Sequence, residues 1–380
     1  MGTHATPADC EPTPKINRSA KHRRCGSASN RMAFDSDFPR TMILIAAAIS
    51  MVLAWVLTGL MRRYALAAQL LDHPNDRSSH TVPTPRGGGV AIVVSFMLLV
   101  LVLGLLGLIE RRLMIAALGS GAVVALLGFL DDRSSLPARV RFAGHAGAAA
   151  WAVGWMNAIP SVPIFGRAVD LGFAGPALCG LFIVWMVNLF NFMDGIDGIA
   201  SVEAITTTLG GALLWWLAGS GTGWVAAVAF AGCVAGFLAW NWPPAKIFMG
   251  DAGSGFLGLM VALLALWCGQ ATPLLFWSWF ILIGCFMVDA TTTLVRRVRR
   301  GEKFFVAHRA HAYQYAARRA GRHLPVTLAC GAINLLWLLP IAAGVALGRL
   351  DGVVGVVVAY TPLVGLAFRY KAGDRLAQQP

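Results

Sequence analysis

Apolar runs close to 20 residues long recur between residues 41 and 369, and no other feature limits the fold as strongly. At 1.5 Å of rise per residue, a helix of about 20 residues crosses the roughly 30 Å hydrocarbon layer of a bilayer. Within that layer every backbone polar group must be satisfied internally, which leaves helices as the elements for such runs. Apolar residues make up 57% of the chain and charged residues 13%. That charged share is about half the roughly 25% of soluble domains, too little to coat so much apolar surface. The chain therefore reads as all-α, a polytopic integral membrane protein, and soluble-enzyme folds are excluded. Eleven candidate spans follow: 41–61, 87–109, 113–130, 142–158, 172–190, 200–218, 222–240, 255–270, 272–293, 325–347 and 351–368. Their connections are brief and leave no room for a soluble domain. Residues 1–40 are polar, lack helical periodicity and read as a disordered tail, residues 41–370 as one transmembrane domain, and 371–380 as a second short tail.

The net charge of +13 suggests a nucleic-acid partner only until its carriers are located. They lie in short loops between apolar segments, where basic residues orient helices and meet a lipid bilayer, so no nucleic acid is expected. The loops on one side hold 20 Lys and Arg, those on the other hold 4, and the rule for basic residues makes the first side cytoplasmic. The N-terminal tail, with seven more, falls on the outer side against that rule, and a start at Met32 would remove six of them. Of the seven cysteines, five lie inside apolar segments with no CxxC or Cys/His spacing, and they read as small hydrophobes packed between helices.

The acidic residues carry more information. Eleven of the 18 fall on or near the cytoplasmic side, several at the ends of spans. A carboxylate near hydrocarbon is costly and usually serves a function. Four clusters stand out. Asp131 and Asp132 are adjacent and resist joint ionisation unless a cation or donors intervene. Asn188, Asn191 and Asp194 are spaced by three, so neighbours in the series share a helical face; Gly195, Asp197 and Gly198 follow. Hard oxygen donors of this kind suit Mg²⁺, with Mn²⁺ as the alternative. Gly250-Asp251-Ala252-Gly253-Ser254, shortly after Lys246, reads as a loop opening a helix, with backbone N–H groups offered to a phosphate and Asp251 offered to its metal. The fourth, His308-Arg309-Ala310-His311, lies in a basic loop suited to pyrophosphate. A capping turn, a glycine turn or a membrane-surface helix would explain any one cluster alone, but the four share one address.

In order, Pro83-Thr84-Pro85-Arg86-Gly87-Gly88-Gly89 (preceded by Arg77-Ser78-Ser79-His80), Asp131-Asp132, the 188–198 segment, Gly250-Asp251-Ala252-Gly253-Ser254 and the 308–314 segment resemble the polyprenyl-phosphate N-acetylhexosamine-1-phosphate transferases of the MraY/WecA type. The match extends from about residue 70 to 315. It is similar to the branch that initiates O-antigen and related glycans, because the His-rich run of the MraY type is replaced by His308-Arg309-Ala310-His311, and its Thr-Pro-x-Met-Gly-Gly by Thr84-Pro85-Arg86-Gly87-Gly88.

The resemblance implies transfer of sugar 1-phosphate from a UDP-N-acetylhexosamine to undecaprenyl phosphate, with release of UMP, at the cytoplasmic face of a bacterial inner membrane. It implies Asp251 as the principal Mg²⁺ ligand with Asn191 second, Asp194 and Asp197 as the nucleotide-contacting pair (or Asp194 in the metal's outer shell), and Asp131 and Asp132, the pair assigned to lipid-phosphate activation, as catalytic with Asp251. His308, Arg309 and His311 would grip pyrophosphate or sugar, and Asn188, Arg86 and Lys246 complete the substrate-contacting set. A membrane transporter of an anionic solute is the alternative of another class, but its ion sites would lie near the bilayer midplane, whereas these carboxylates lie at span ends. The sequence leaves the amino sugar open, and whether the chain forms a homodimer.

Overall fold

The computed structural model describes residues 1–2, 38–74, 82–156, 160–219, 221–302 and 308–374. Most of the expected N-terminal tail, the Arg77-Ser78-Ser79-His80 stretch and the last six residues lie outside them. The protein is helical throughout its apolar length. Helices α1 (Phe38–Ala67), α2 (Gly89–Leu105), α3 (Arg111–Ser134), α4 (Ala138–Met156), α5 (Ala174–Met193), α6 (Ile199–Leu217), α7 (Trp224–Asn241) and α8 (Asp251–Ala271) follow one another in order. Then come α9 (Pro273–Leu282), α10 (Gly284–Arg299), α11 (Ala312–Ala320), α12 (Leu324–Ile333), α13 (Leu339–Ala346) and α14 (Gly352–Arg369). The turn Asn334–Leu338 between α12 and α13 is a π-helix, so Leu324–Ala346 runs as one rod.

Each of the eleven expected spans coincides with a helix or a consecutive pair, but their fitness to cross a bilayer differs. Among the described residues, seven helices are long and apolar enough, or eight if α9 and α10, bent by 68° at their junction, count as one broken span. The seventeen residues of α2 are apolar but short. Arg139, Arg141 and His145 in α4, and Glu203 with Thr206, Thr207 and Thr208 in α6, dilute apolarity that the surrounding runs otherwise supply. A run of apolar letters therefore overstates the number of strongly apolar helices. The result is still an all-α, multi-pass membrane protein.

The bundle is built around α8. Every residue from 252 to 269 in it is buried, and α2, α3, α5, α6 and α9 pack against it. Such enclosure needs small residues where backbones meet, as is usual between helices in lipid. A Cβ on Gly89 would stand 2.4 Å from the Gly253 Cα, so α2 and α8 touch backbone to backbone. On the periphery the pattern inverts. Ile49, Val52 and Trp55 of α1 and Val357 of α14 are exposed, as a lipid-facing surface requires.

Among the described residues, two short hairpins lie between helices. Strand β1 (Leu71–Asp72) pairs antiparallel with β2 (Thr84–Pro85), and β3 (Val162–Ile164) pairs with β4 (Arg167–Val169). The β2 strand also extends to the entrance of α8: Phe248 N–H donates to the Pro85 carbonyl (2.8 Å), while the N–H groups of Gly88 and Gly89 donate to the carbonyls of Phe248 (2.9 Å) and Met249 (2.8 Å). That ladder holds Arg86 beside the first residue of α8.

Gly89→Ala should lower the thermal unfolding midpoint in detergent, with overpacking costing about 1–3 kcal/mol, because neither backbone can yield. Gly147→Ala, in α4, where an added Cβ meets nothing within 4 Å, should leave the midpoint unchanged or raised.

Candidate active site

The last turn of α3 and the first of α8 meet through one carboxylate. Asp132 Oδ1 accepts from the Asp251 N–H at 2.9 Å and its Oδ2 from the Ala252 N–H at 3.3 Å. The start of a helix carries unsatisfied N–H groups and partial positive charge, so an anion there is stabilised. The same N–H groups were expected to cradle a phosphate; in this structure Asp132 occupies two of them. Gly250 makes the approach feasible. Its φ is +77°, which disfavours any side chain, and a Cβ would lie 2.6 Å from Asp132 Oδ2.

Arg86 completes the junction. Its Nη2 lies 2.6 Å from Asp132 Oδ1 and 3.4 Å from Asp251 Oδ1. Burial pulls the guanidinium pKa down, but Asp132, Asp251, Asp72 and Asp131 together raise it above its ordinary value. One cation thus spans two carboxylates that would otherwise repel. Asp131 stays beside this centre, its side chain in contact with that of Asp251, and it also pairs with Arg141 of α4 at 2.8 Å and accepts from the Leu136 N–H at 2.5 Å. The adjacent pair in the sequence therefore takes different arginine partners, Asp131 tying α3 to α4 and Asp132 tying α3 to the β2 segment, while both remain beside Asp251.

The 188–198 segment also divides. Asn188 Nδ2 donates to the Val184 carbonyl of its own helix at 2.7 Å. Asn191 Nδ2 donates to Ser254 Oγ in α8 at 3.2 Å, which leaves the amide oxygen as its donor towards a cation. Asp194 is the residue after α5. Burial, reinforced by the charges of Asp251, Asp132 and Asp197, pushes its carboxyl up to about 7. Asp197 instead braces loops: it accepts from the Ala245 N–H and pairs with His323 Nδ1, each at 3.1 Å. Lys246 is exposed, with Nζ 5.8 Å from the centre of the Trp240 ring and its carbonyl accepting from Arg62.

The His308-Arg309-Ala310-His311 segment enters α11, with His311 as its N-cap in a capping box with Gln314. The rings of His308 and His311 lie 4.9 Å apart. His311 is buried against Asp289, its Nδ1 3.3 Å from Asp289 Oδ1, while Asp289 also accepts the N–H groups of Ala312 and Tyr313 at 2.9 Å. Tyr313 then reaches across to donate to the Phe192 carbonyl at the end of α5 (3.0 Å). Sequence reasoning placed Asp289 on this face without giving it a task. A charged residue in the apolar part of α10 was the available signal, but its partners lie 22 to 24 residues ahead, in another helix.

Residues 114–269 match the model of glycosyl transferase family 4. A Bacillus subtilis protein described as a probable undecaprenyl-phosphate N-acetylglucosaminyl 1-phosphate transferase is 30% identical over 71% of this chain and 76% of its own. The chain belongs to glycosyl transferase family 4. It is also similar to the decaprenyl-phosphate N-acetylglucosaminephosphotransferase of Mycobacterium tuberculosis, 30% identical over 78% of this chain and 80% of that one. The phospho-N-acetylmuramoyl-pentapeptide-transferase of Moorella thermoacetica is 30% identical over 59% of this chain and 74% of its own. The matched region includes α3, α5 and α8, the three helices that bring Asp132, Asn191 and Asp251 together.

Arg86→Met removes the cation between Asp132 and Asp251. The variant should unfold at a lower temperature than the parent at pH 8 without divalent cations, and the deficit should shrink towards pH 5 as carboxyl groups take up protons. A deficit independent of pH would mean that Arg86 contributes only packing.

Proposed function

We propose that the chain transfers N-acetylhexosamine 1-phosphate from a UDP-sugar to undecaprenyl phosphate, releasing UMP, at the cytoplasmic face of a bacterial inner membrane. The observation that supports this most is the meeting of Asp132, Asp251, Arg86 and Asn191 at the start of a helix buried from 252 to 269, in a member of this family. A site at a helix end lets a soluble sugar nucleotide meet a lipid phosphate held at the membrane surface. The excess of Lys and Arg in the loops of that side supports the cytoplasmic assignment.

The donor set fits Mg²⁺. Asp251, Asp132, Asp194 and the Asn191 amide oxygen are hard oxygen donors, and burial, reinforced by the neighbouring carboxylates, pushes the Asp194 carboxyl up to about 7. Asp251 and Asn191 are the ligands we assign. When bound, Mg²⁺ would screen the charge of the two phosphate-bearing substrates.

In the reaction, a lipid phosphate oxygen attacks the phosphorus attached to the sugar. A new pyrophosphate bond forms, the original bridge breaks, and UMP leaves with the electron pair. A phosphate monoester has a second pKa of about 6 and needs little help from a base at neutral pH. Asp132, with both oxygens engaged by backbone N–H groups and Arg86, orients the centre rather than attacking; its geometry supports direct transfer without a covalent enzyme intermediate. In this reading His308 and Arg309 grip pyrophosphate or sugar, with His311 holding their segment against Asp289. The names of the Bacillus and Mycobacterium relatives favour N-acetylglucosamine as the sugar, while the His308-Arg309-Ala310-His311 pattern favours initiation of O-antigen or a related envelope glycan over a peptide-bearing substrate.

Asp251→Asn should abolish sugar-1-phosphate transfer at saturating Mg²⁺ while the protein stays monodisperse and unfolds at a temperature close to the parent's. Near-normal turnover in that variant would remove Asp251 from the centre. Mg²⁺ affinity should rise with pH through about 7 and level off above it, because the cation competes with protons shared among the crowded carboxylates, Asp194 among them. Asp194→Asn should reduce that dependence without removing it, as measured by calorimetric titration at several pH values.

A further inference from the structure

We propose that Glu203, Cys285 and Cys330 form a second metal site, for a thiophilic divalent ion of the zinc class, between α6, α10 and α12. Among the described residues these three bring one ligand atom each to within 4.8 Å of one another. Zinc bonds of about 2.3 Å to sulfur at tetrahedral angles separate ligand sulfurs by roughly 3.8 Å, so each side chain need move only slightly to close on an ion. Two thiols and one carboxylate select zinc-like ions over Mg²⁺, which prefers oxygen alone.

The surroundings have the character of a built site. Glu203 is wholly buried, and its Oε1 has no hydrogen-bond partner, an expensive arrangement in an apolar bundle. Its Oε2 accepts from Asn334 Nδ2 at 2.7 Å and from Cys330 Sγ at 3.2 Å, and the same Asn334 amide reaches Thr206 Oγ1 at 2.7 Å. An outer amide that fixes a ligating carboxylate is a regular part of metal sites. Asn334 opens the π-turn of the α12–α13 rod, a distortion frequent at functional positions.

Access exists as well. A cavity of about 380 Å³ is lined by Cys285, Cys330, Asp289, Tyr313 and Arg319, and so extends from the two thiols to the amphipathic helix α11. Glu203 lies four residues from the start of α6 and Cys330 six from the start of α12, depths of about 6 and 9 Å at 1.5 Å per residue. The ion would replace the two thiol protons, with a water from the cavity side as fourth ligand. Cys285 follows immediately after the 68° bend between α9 and α10, so the ion would tie that bend to α6 and α12.

The test uses the purified full-length protein in detergent, stripped with a chelator and titrated with Co²⁺, whose thiolate charge-transfer absorption reports sulfur ligation. The expected result is one equivalent of Co²⁺ bound with that absorption, displaced by Zn²⁺, lost in Cys285→Ser/Cys330→Ser and retained in Asp251→Asn. If the double variant does not fold, Cys285→Ser alone should reduce the absorption by about half. No thiolate absorption in the folded parent, or an undiminished one in the cysteine variants, would overturn the proposal.

Discussion

The carboxylate of Asp132 is the contact on which the polar face depends. It lies in the last turn of α3, caps α8 through two backbone N–H groups and pairs with Arg86, the residue after β2. Because α8 is buried from its second residue to 269, its first N–H groups need a partner within the protein, and a neighbouring helix supplies the anion. Meeting that need also places two carboxylates and an arginine at one point, with Asn191 tied to Ser254 one turn further along α8. The requirement that stabilises the fold and the arrangement that suits phosphate chemistry are the same set of contacts.

Much of this was legible in the sequence. Apolar runs located the helices, and the acidic residues at their ends marked the face, because charge near hydrocarbon is expensive enough to be placed only where it is used. What spacing could not convey was the partner of each polar group. Asp131 and Asp132 are indistinguishable as letters, yet only Asp131 pairs with Arg141 and only Asp132 takes the first N–H groups of α8, since successive residues on a helix point about 100° apart. The loop 250–254 read as an open phosphate cradle, and its first donors are taken by a side chain 119 residues earlier. Asp197 read as a ligand contact and braces loops through His323 and Ala245.

The same limit hid the polar group inside the bundle. Cys285 and Cys330 carry no metal spacing and read as small hydrophobes, while Glu203 was one acidic residue among eleven on its side. Only the crossing of α6, α10 and α12 brings them together. Pairing among distant segments is a property of helix packing, and a hydrophobicity pattern specifies which faces are buried without specifying which face meets which.

Placing chemistry at the start of α8 amounts to one claim: the phosphate attached to the sugar travels with it to the lipid. Membranes containing the protein, supplied with undecaprenyl phosphate and a UDP-N-acetylhexosamine labelled with ³²P at the β-phosphate, test it directly. The account predicts that the label moves into an organic-extractable lipid bearing a pyrophosphate bridge, with unlabelled UMP in the aqueous phase. Label left in the aqueous phase as UDP, with sugar alone on the lipid, would contradict it.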